Sequence, residues 1–283
     1  MLIRTISSLV GCLIIIPALC FSHTWVFPIL MALITFVSVY EMLRCIGVHK
    51  KHYLALPVIL FSGAAPVIAR FSSIYEGIDI VFVLLAGAVI FVLYLLGISL
   101  FSKGDFKLED AAMVFMTCFY IVGGYTSIVL LRDLPGGKYI FMLVFFGAWF
   151  TDIFAYFTGR LIGRHKLIPE VSPKKTVEGS IGGIVFCALS YIAYGFVLEK
   201  FFSQKPNYIV LACIAVVISV VAQLGDLTLS QIKRKYGIKD YGKIMPGHGG
   251  LLDRFDSVIA VSLILIIVCG IVNGLGLEIV EVI

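Results

Sequence analysis

Apolar residues run along this chain in nine long blocks, at roughly 5–22, 25–43, 53–70, 78–100, 111–131, 139–158, 180–199, 207–225 and 255–274. A bilayer core of about 30 Å takes about 20 apolar helical residues, and each block is close to that length. The first two are parted only by Ser22-His23-Thr24. As one helix, 5–43 would reach about 58 Å, nearly twice a bilayer, so the pattern predicts a hairpin. The short basic start followed by an apolar run resembles a signal peptide. It lacks a small-residue cleavage site followed by a polar domain, and we read it as the first span.

The basic residues test this count. If the loops alternate sides, only Arg70, Arg132, Lys138, Lys200 and Lys205 fall opposite the N-terminus. The other seventeen of the 22 Lys and Arg share its side. The positive-inside rule makes that side cytoplasmic. The expected architecture is an all-α polytopic integral membrane protein of about nine transmembrane helices, N-terminus cytoplasmic and C-terminus outside.

Composition agrees. Of 283 residues, 60% are hydrophobic and 14% charged, whereas soluble domains carry about 25% charged residues. A soluble enzyme, a disordered chain and a fibrous repeat are excluded. The net charge of +5 is mild and suggests no nucleic-acid partner. Seven cysteines, without a CxxC pair, read as small apolar residues in helices.

Two regions differ in chemistry. Residues 1–145, covering five spans and the start of the sixth, are mostly plain apolar helices. They are open to two roles, a homodimer interface or a lipid-facing wall. Residues 146–283 carry the polar chemistry, with long cytoplasmic loops at 159–179 and 226–257. Asp152 lies deep in the sixth span, Asp226 ends the eighth, and Asp253 and Asp256 open the ninth, three apart on one helix face. Carboxylates within spans are costly and usually functional. Mg²⁺ binds one or two carboxylates and completes its shell with water and phosphate.

Two basic stretches suit phosphate. Ser172-Pro173-Lys174-Lys175-Thr176 precedes a helix whose N–H groups can face an anion. Ser230, Lys233, Arg234, Lys239 and Asp240 are followed by Pro246-Gly247-His248-Gly249-Gly250 and Arg254. Glycines there let backbone approach a ligand, and His248 reads as a substrate contact or a loop staple. Acidic and basic residues on one membrane face suit phosphoryl or nucleotidyl transfer. No P-loop, HExxH or GxSxG motif is present.

Ser230-x-x-Lys233-Arg234, Lys239-Asp240 and Pro246-Gly247-His248-Gly249-Gly250-x-x-Asp253-Arg254-x-Asp256 resemble the signature of the phosphatidate cytidylyltransferase (CDP-diacylglycerol synthase) family. Asp152-x-x-Ala155-Tyr156-x-x-Gly159-Arg160 and Ser172-Pro173-Lys174-Lys175-Thr176-x-Glu178-Gly179 resemble a second block of that family. The resemblance implies transfer of a cytidylyl group from CTP to phosphatidic acid, with pyrophosphate leaving. It implies Mg²⁺ at Asp226, Asp253 and Asp256, and a second, monovalent cation such as K⁺. Lys233, Arg234 and His248 join these aspartates as expected catalytic residues. Ser172, Lys174, Lys175, Thr176, Ser230, Lys239, Asp240, Arg254 and Asp152 are expected to bind substrate. No covalent nucleophile is implied, because the lipid phosphate can attack. One departure is Leu229, where relatives often carry Glu. The implied location is a bacterial inner membrane with the site facing the cytoplasm.

A CTP-dependent polyprenol or phytol kinase is the alternative enzyme, and it would leave CDP instead of pyrophosphate. An ion or anion transporter is the alternative from another class, though its charges belong near the midplane.

Overall fold

In the computed structural model the described residues are 11, 13, 15–75, 79–245, 247 and 249–281. Among them, eight helices are long and apolar enough to cross a membrane. We number the helices α1 (Val26–Ile46), α2 (His52–Ile74), α3 (Ile80–Phe101), α4 (Leu108–Asp133), the short α5 (Gly137–Ile140), α6 (Met142–Ile162), α7 (Val177–Phe202), α8 (Tyr208–Lys235) and α9 (Leu252–Gly274). The pair α5 and α6 forms one span, Gly137–Ile162. These eight match the second to ninth expected spans. Residues 5–10, 12 and 14 of the first expected span lie outside the described residues. Residues 15–20 are helical and turns follow at 21–25, where the hairpin is expected.

The structure corrects three boundaries. Helix α8 continues ten residues past the end of its apolar block, so Asp226, Ser230, Lys233 and Arg234 stand on a helix rather than in a loop. Leu227, Leu229 and Ile232 carry the buried face onward. The expected loop 159–179 is largely a hairpin of β1 (Lys166–Ile168) and β2 (Ser172–Thr176), antiparallel with Lys166 opposite Thr176. Arg70, expected among loop charges, is buried in α2. Its Nη2 donates to the Ser22 carbonyl at 2.6 Å.

The helix ends have chemical causes. Asp79 caps α3 by accepting from Val81 N and Phe82 N, and Gly47 ends α1 in the left-handed region, as such positions favour. Helix α3 buries only Leu95, and a helix apolar all round belongs in lipid.

The chain divides into two compact units. The first comprises Met1–Leu130 and Tyr236–Arg254. Its interior holds Tyr125, fully buried, with its hydroxyl 3.0 Å from Ser38 Oγ. The second comprises Leu131–Lys235 and Phe255–Ile283. Here α6, α7 and α8 pack together. Tyr191 donates to the Leu143 carbonyl at 2.6 Å, and Thr151 to Ser219 at 3.0 Å. A methyl added at Gly179 would sit 2.6 Å from the Ala155 carbonyl oxygen. Small residues thus bring α6 and α7 close, a common device between membrane helices. A second small sheet pairs β3 (Lys205–Pro206) with β4 (Val280–Glu281).

Candidate active site

In the second unit the β hairpin delivers the lysines. On β2, Lys174 is exposed while Lys175 is half-buried. Lys175 Nζ lies 2.6 Å from Asp226 Oδ2. The next residue, Thr176, is buried and caps α7, its Oγ1 accepting from Gly179 N at 3.1 Å. Glu178 then fixes the other end of the hairpin. Its carboxylate accepts from the backbone N–H of Arg164 at 3.1 Å and of His165, and lies 2.6 Å from His165 Nδ1. Thr176 and Glu178 are therefore the frame, and Lys175 is the group it presents.

On α8, Asp226, Ser230 and Lys233 fall at i, i+4 and i+7, along one face. Ser230 donates to Asp226 Oδ1 at 3.2 Å. Lys233 is buried, and its charge acts on both Asp226 and Asp256. Arg234 is exposed, and its Nε donates to the Val171 carbonyl at 3.4 Å. Asp256, near the start of α9, is buried. Its neighbour Ser257 donates to Asp152 Oδ2 on α6 at 3.0 Å. The negative charges of Asp152, Asp226 and Asp256 act on one another. Three carboxylates thus face two lysine ammoniums.

The second unit thereby brings together Asp152, Asp226, Asp256, Lys175, Lys233 and Ser230. Ser172 and Lys174 share the hairpin. Leu229 is fully buried, so at this departure the chain sets a core side chain. Among the described residues no group of three or more His, Cys, Asp or Glu stands ready to hold a metal alone. The donor set still fits Mg²⁺, which needs only one or two carboxylates when phosphates complete its shell.

The first unit holds the glycine-rich segment. Met245 and Gly249 form an isolated bridge, and Gly249 is left-handed. Asp253 Oδ2 accepts from Tyr241 N at 2.8 Å and Gly250 N at 2.9 Å. Lys239, Asp240 and Arg254 are exposed. Asp240 lines a cavity of about 260 Å³ with Arg44, Tyr241 and Lys243. His248 and Pro246 lie outside the described residues.

Two residues that work here were missed from sequence. Glu41 on α1 is buried, and accepts from Leu251 N at 3.1 Å and Leu252 N at 2.9 Å. Its signal is a carboxylate inside an apolar span, in a region read as plain helix. Ser257 is the other, and nothing but its place beside Asp256 marks it.

The sequence profile of the cytidylyltransferase family matches residues 2–272. A phosphatidate cytidylyltransferase of Staphylococcus epidermidis is 34% identical over 91% of this chain and 94% of its own. One of Staphylococcus haemolyticus is also 34% identical, with the same coverage. One of Staphylococcus aureus is 40% identical over 57% of this chain and 60% of its own.

Proposed function

The chain belongs to the cytidylyltransferase family, and we propose that it makes CDP-diacylglycerol from CTP and phosphatidate at the membrane surface. It is an integral membrane nucleotidyltransferase. A phosphate oxygen of phosphatidate attacks the α-phosphorus of CTP. The new P–O bond joins lipid to nucleotide, the α–β bond breaks, and pyrophosphate leaves.

The observation that carries this reading is the pairing of Lys175 with Asp226 beside Asp152, Asp256 and Lys233. Lysines held by carboxylates are pre-aligned point charges for phosphate. Lys175 and Lys233 hold the phosphates in the attacking geometry, with Lys174 and Arg234 adding charge at the rim. Asp226 and Asp256 would hold Mg²⁺, and the family resemblance implies a metal-binding role for Asp253. Such an ion would supply positive charge against the phosphates. Asp152, steadied by Ser257, orients rather than ligates. Ser172, Ser230, Lys239, Asp240 and Arg254 are proposed to contact substrate.

The excess of basic residues on one side supports an active site facing the cytoplasm of a bacterium, with the N-terminus inside and the C-terminus outside. CTP reaches that face from water and phosphatidate from the leaflet.

The test is transfer of label from α-labelled CTP into lipid by the purified protein, with pyrophosphate released only when Mg²⁺ is present. Label reaching lipid from the γ-phosphate, with CDP released, would assign the chain as a lipid kinase instead.

A further inference from the structure

Glu41 sits in the apolar helix α1, is 2% exposed, and spends both carboxylate oxygens on the N–H groups of Leu251 and Leu252. These are the residues at which α9 begins. The first N–H groups of a helix lack partners within it, and the helix N-terminus favours an anion. Glu41 supplies both needs from a segment about 210 residues away in sequence.

The contact extends into the glycine-rich segment. A methyl added at Gly250 would lie 2.6 Å from each Glu41 oxygen, and one added at Gly242 would strike Glu41 Oε1. Both glycines are therefore places where only bare backbone fits against this carboxylate. The same backbone holds Asp253. Gly250 N donates to Asp253 Oδ2 at 2.9 Å, and Tyr241, next to Gly242, donates at 2.8 Å. Moving Gly242 or Gly250 moves a donor to Asp253.

We infer that Glu41 is a positioning residue, which sets the Asp253 carboxylate and the 241–252 backbone by bracing that segment from the N-terminal half of the chain. The kinetic part of this inference rests on the cytidylyl transfer proposed above. The structural part does not. Glutamine at position 41 keeps the shape but turns one of the two terminal oxygens into an amide donor and removes the charge, so it cannot accept from Leu251 and Leu252 on separate oxygens as the carboxylate does.

Hydrogen–deuterium exchange on the full-length protein in micelles tests the brace without any assay of activity. In Glu41→Gln, amides of 241–252 should exchange about tenfold faster or more, the expected result of losing a hydrogen bond to a charged group. Amides in the centre of α7 should not change. Should Glu41→Gln fail to fold, Gly242→Ala presses on the same carboxylate from the other side and should give the same local pattern. Unchanged exchange at Tyr241 and Gly250 in a folded variant overturns the inference. If wild type transfers cytidylyl groups, Glu41→Gln should also raise the Mg²⁺ needed for half-maximal rate by about threefold or more, a shift that general loss of fold would not produce. Faster exchange with an unchanged Mg²⁺ requirement would reduce Glu41 to a structural brace and overturn the positioning role. A wild type that transfers nothing would remove the proposed activity, while exchange would still decide the brace.

Discussion

The two units hold their carboxylates in different ways. In the first, Glu41 and Asp253 are satisfied by backbone N–H groups of Leu251, Leu252, Tyr241 and Gly250. In the second, Asp226 is held by the Lys175 ammonium and the Ser230 hydroxyl, with Asp152 and Asp256 acting on it by charge. Backbone donors are fixed in place by the fold. Side-chain ammoniums on a hairpin can exchange a carboxylate for a phosphate. The first arrangement is a frame, and the second has the properties of a working site. Burial of both partners is only partial, and an ion pair taken part-way out of water is weak evidence of stability, which is a further reason to read the Lys175–Asp226 pair as chemistry.

The contrast can be broken by mutation. The largest effect is expected for Asp226→Asn. It should lower kcat for cytidylyl transfer by about 10³-fold, the scale for losing a group that stabilises transition-state charge, with the helical circular dichroism unchanged. Lys175→Ala should cost about 10²-fold in kcat/KM, checked by steady-state kinetics in CTP. If it costs only stability, the ion pair is a scaffold and the contrast fails.

At residues that hold the backbone in place, in either unit, the order reverses. Gly250→Ala should destabilise by about 1–3 kcal/mol through overpacking against Glu41, seen as a lower thermal midpoint. Thr176→Ala should cost about 1 kcal/mol as a lost helix cap, and its kcat should change far less than that of Lys175→Ala.

The smallest effect concerns Asp105, outside the spans. Hydrogen bonding from Lys51, and then from Tyr53, lowers its pKa below the ordinary carboxylate value. A lowered folded-state pKa gives stability that is present above the unfolded value and lost as pH falls through the folded one. The difference in thermal midpoint between wild type and Asp105→Asn should therefore be present at neutral pH. It should fade as pH drops below about 3.9.

Much of the fold is legible because lipid imposes a single rule on every span, and block length reports it directly. The boundaries went astray where that rule stops applying. Helix α8 runs on to Lys235 because Leu227, Leu229 and Ile232 still face the interior of the second unit. The run Lys233-Arg234-Lys235 hides that continuation from hydropathy. Arg70 looked like a loop charge because its partner is a backbone carbonyl, which carries no residue identity to read. The acidic and basic candidates of the second unit were legible as residue types, but Thr176 is a cap rather than an exposed donor. Glu41 stands out only as a carboxylate inside an apolar span, and its role is hidden for the same reason as that of Arg70. Its partners are N–H groups at the far end of the chain, and only the bare Gly242 and Gly250 mark where it lies.

The most direct test of the central claim compares Asp226→Asn and Glu178→Gln, both in the second unit, in the α-labelled CTP assay with phosphatidate and Mg²⁺. Asp226 belongs to the proposed working cluster, and Glu178 to the frame of the hairpin. Label should reach lipid with wild type, almost none should with Asp226→Asn, and with Glu178→Gln the loss should follow the loss of thermal stability. Near-normal labelling by a folded Asp226→Asn would contradict that claim.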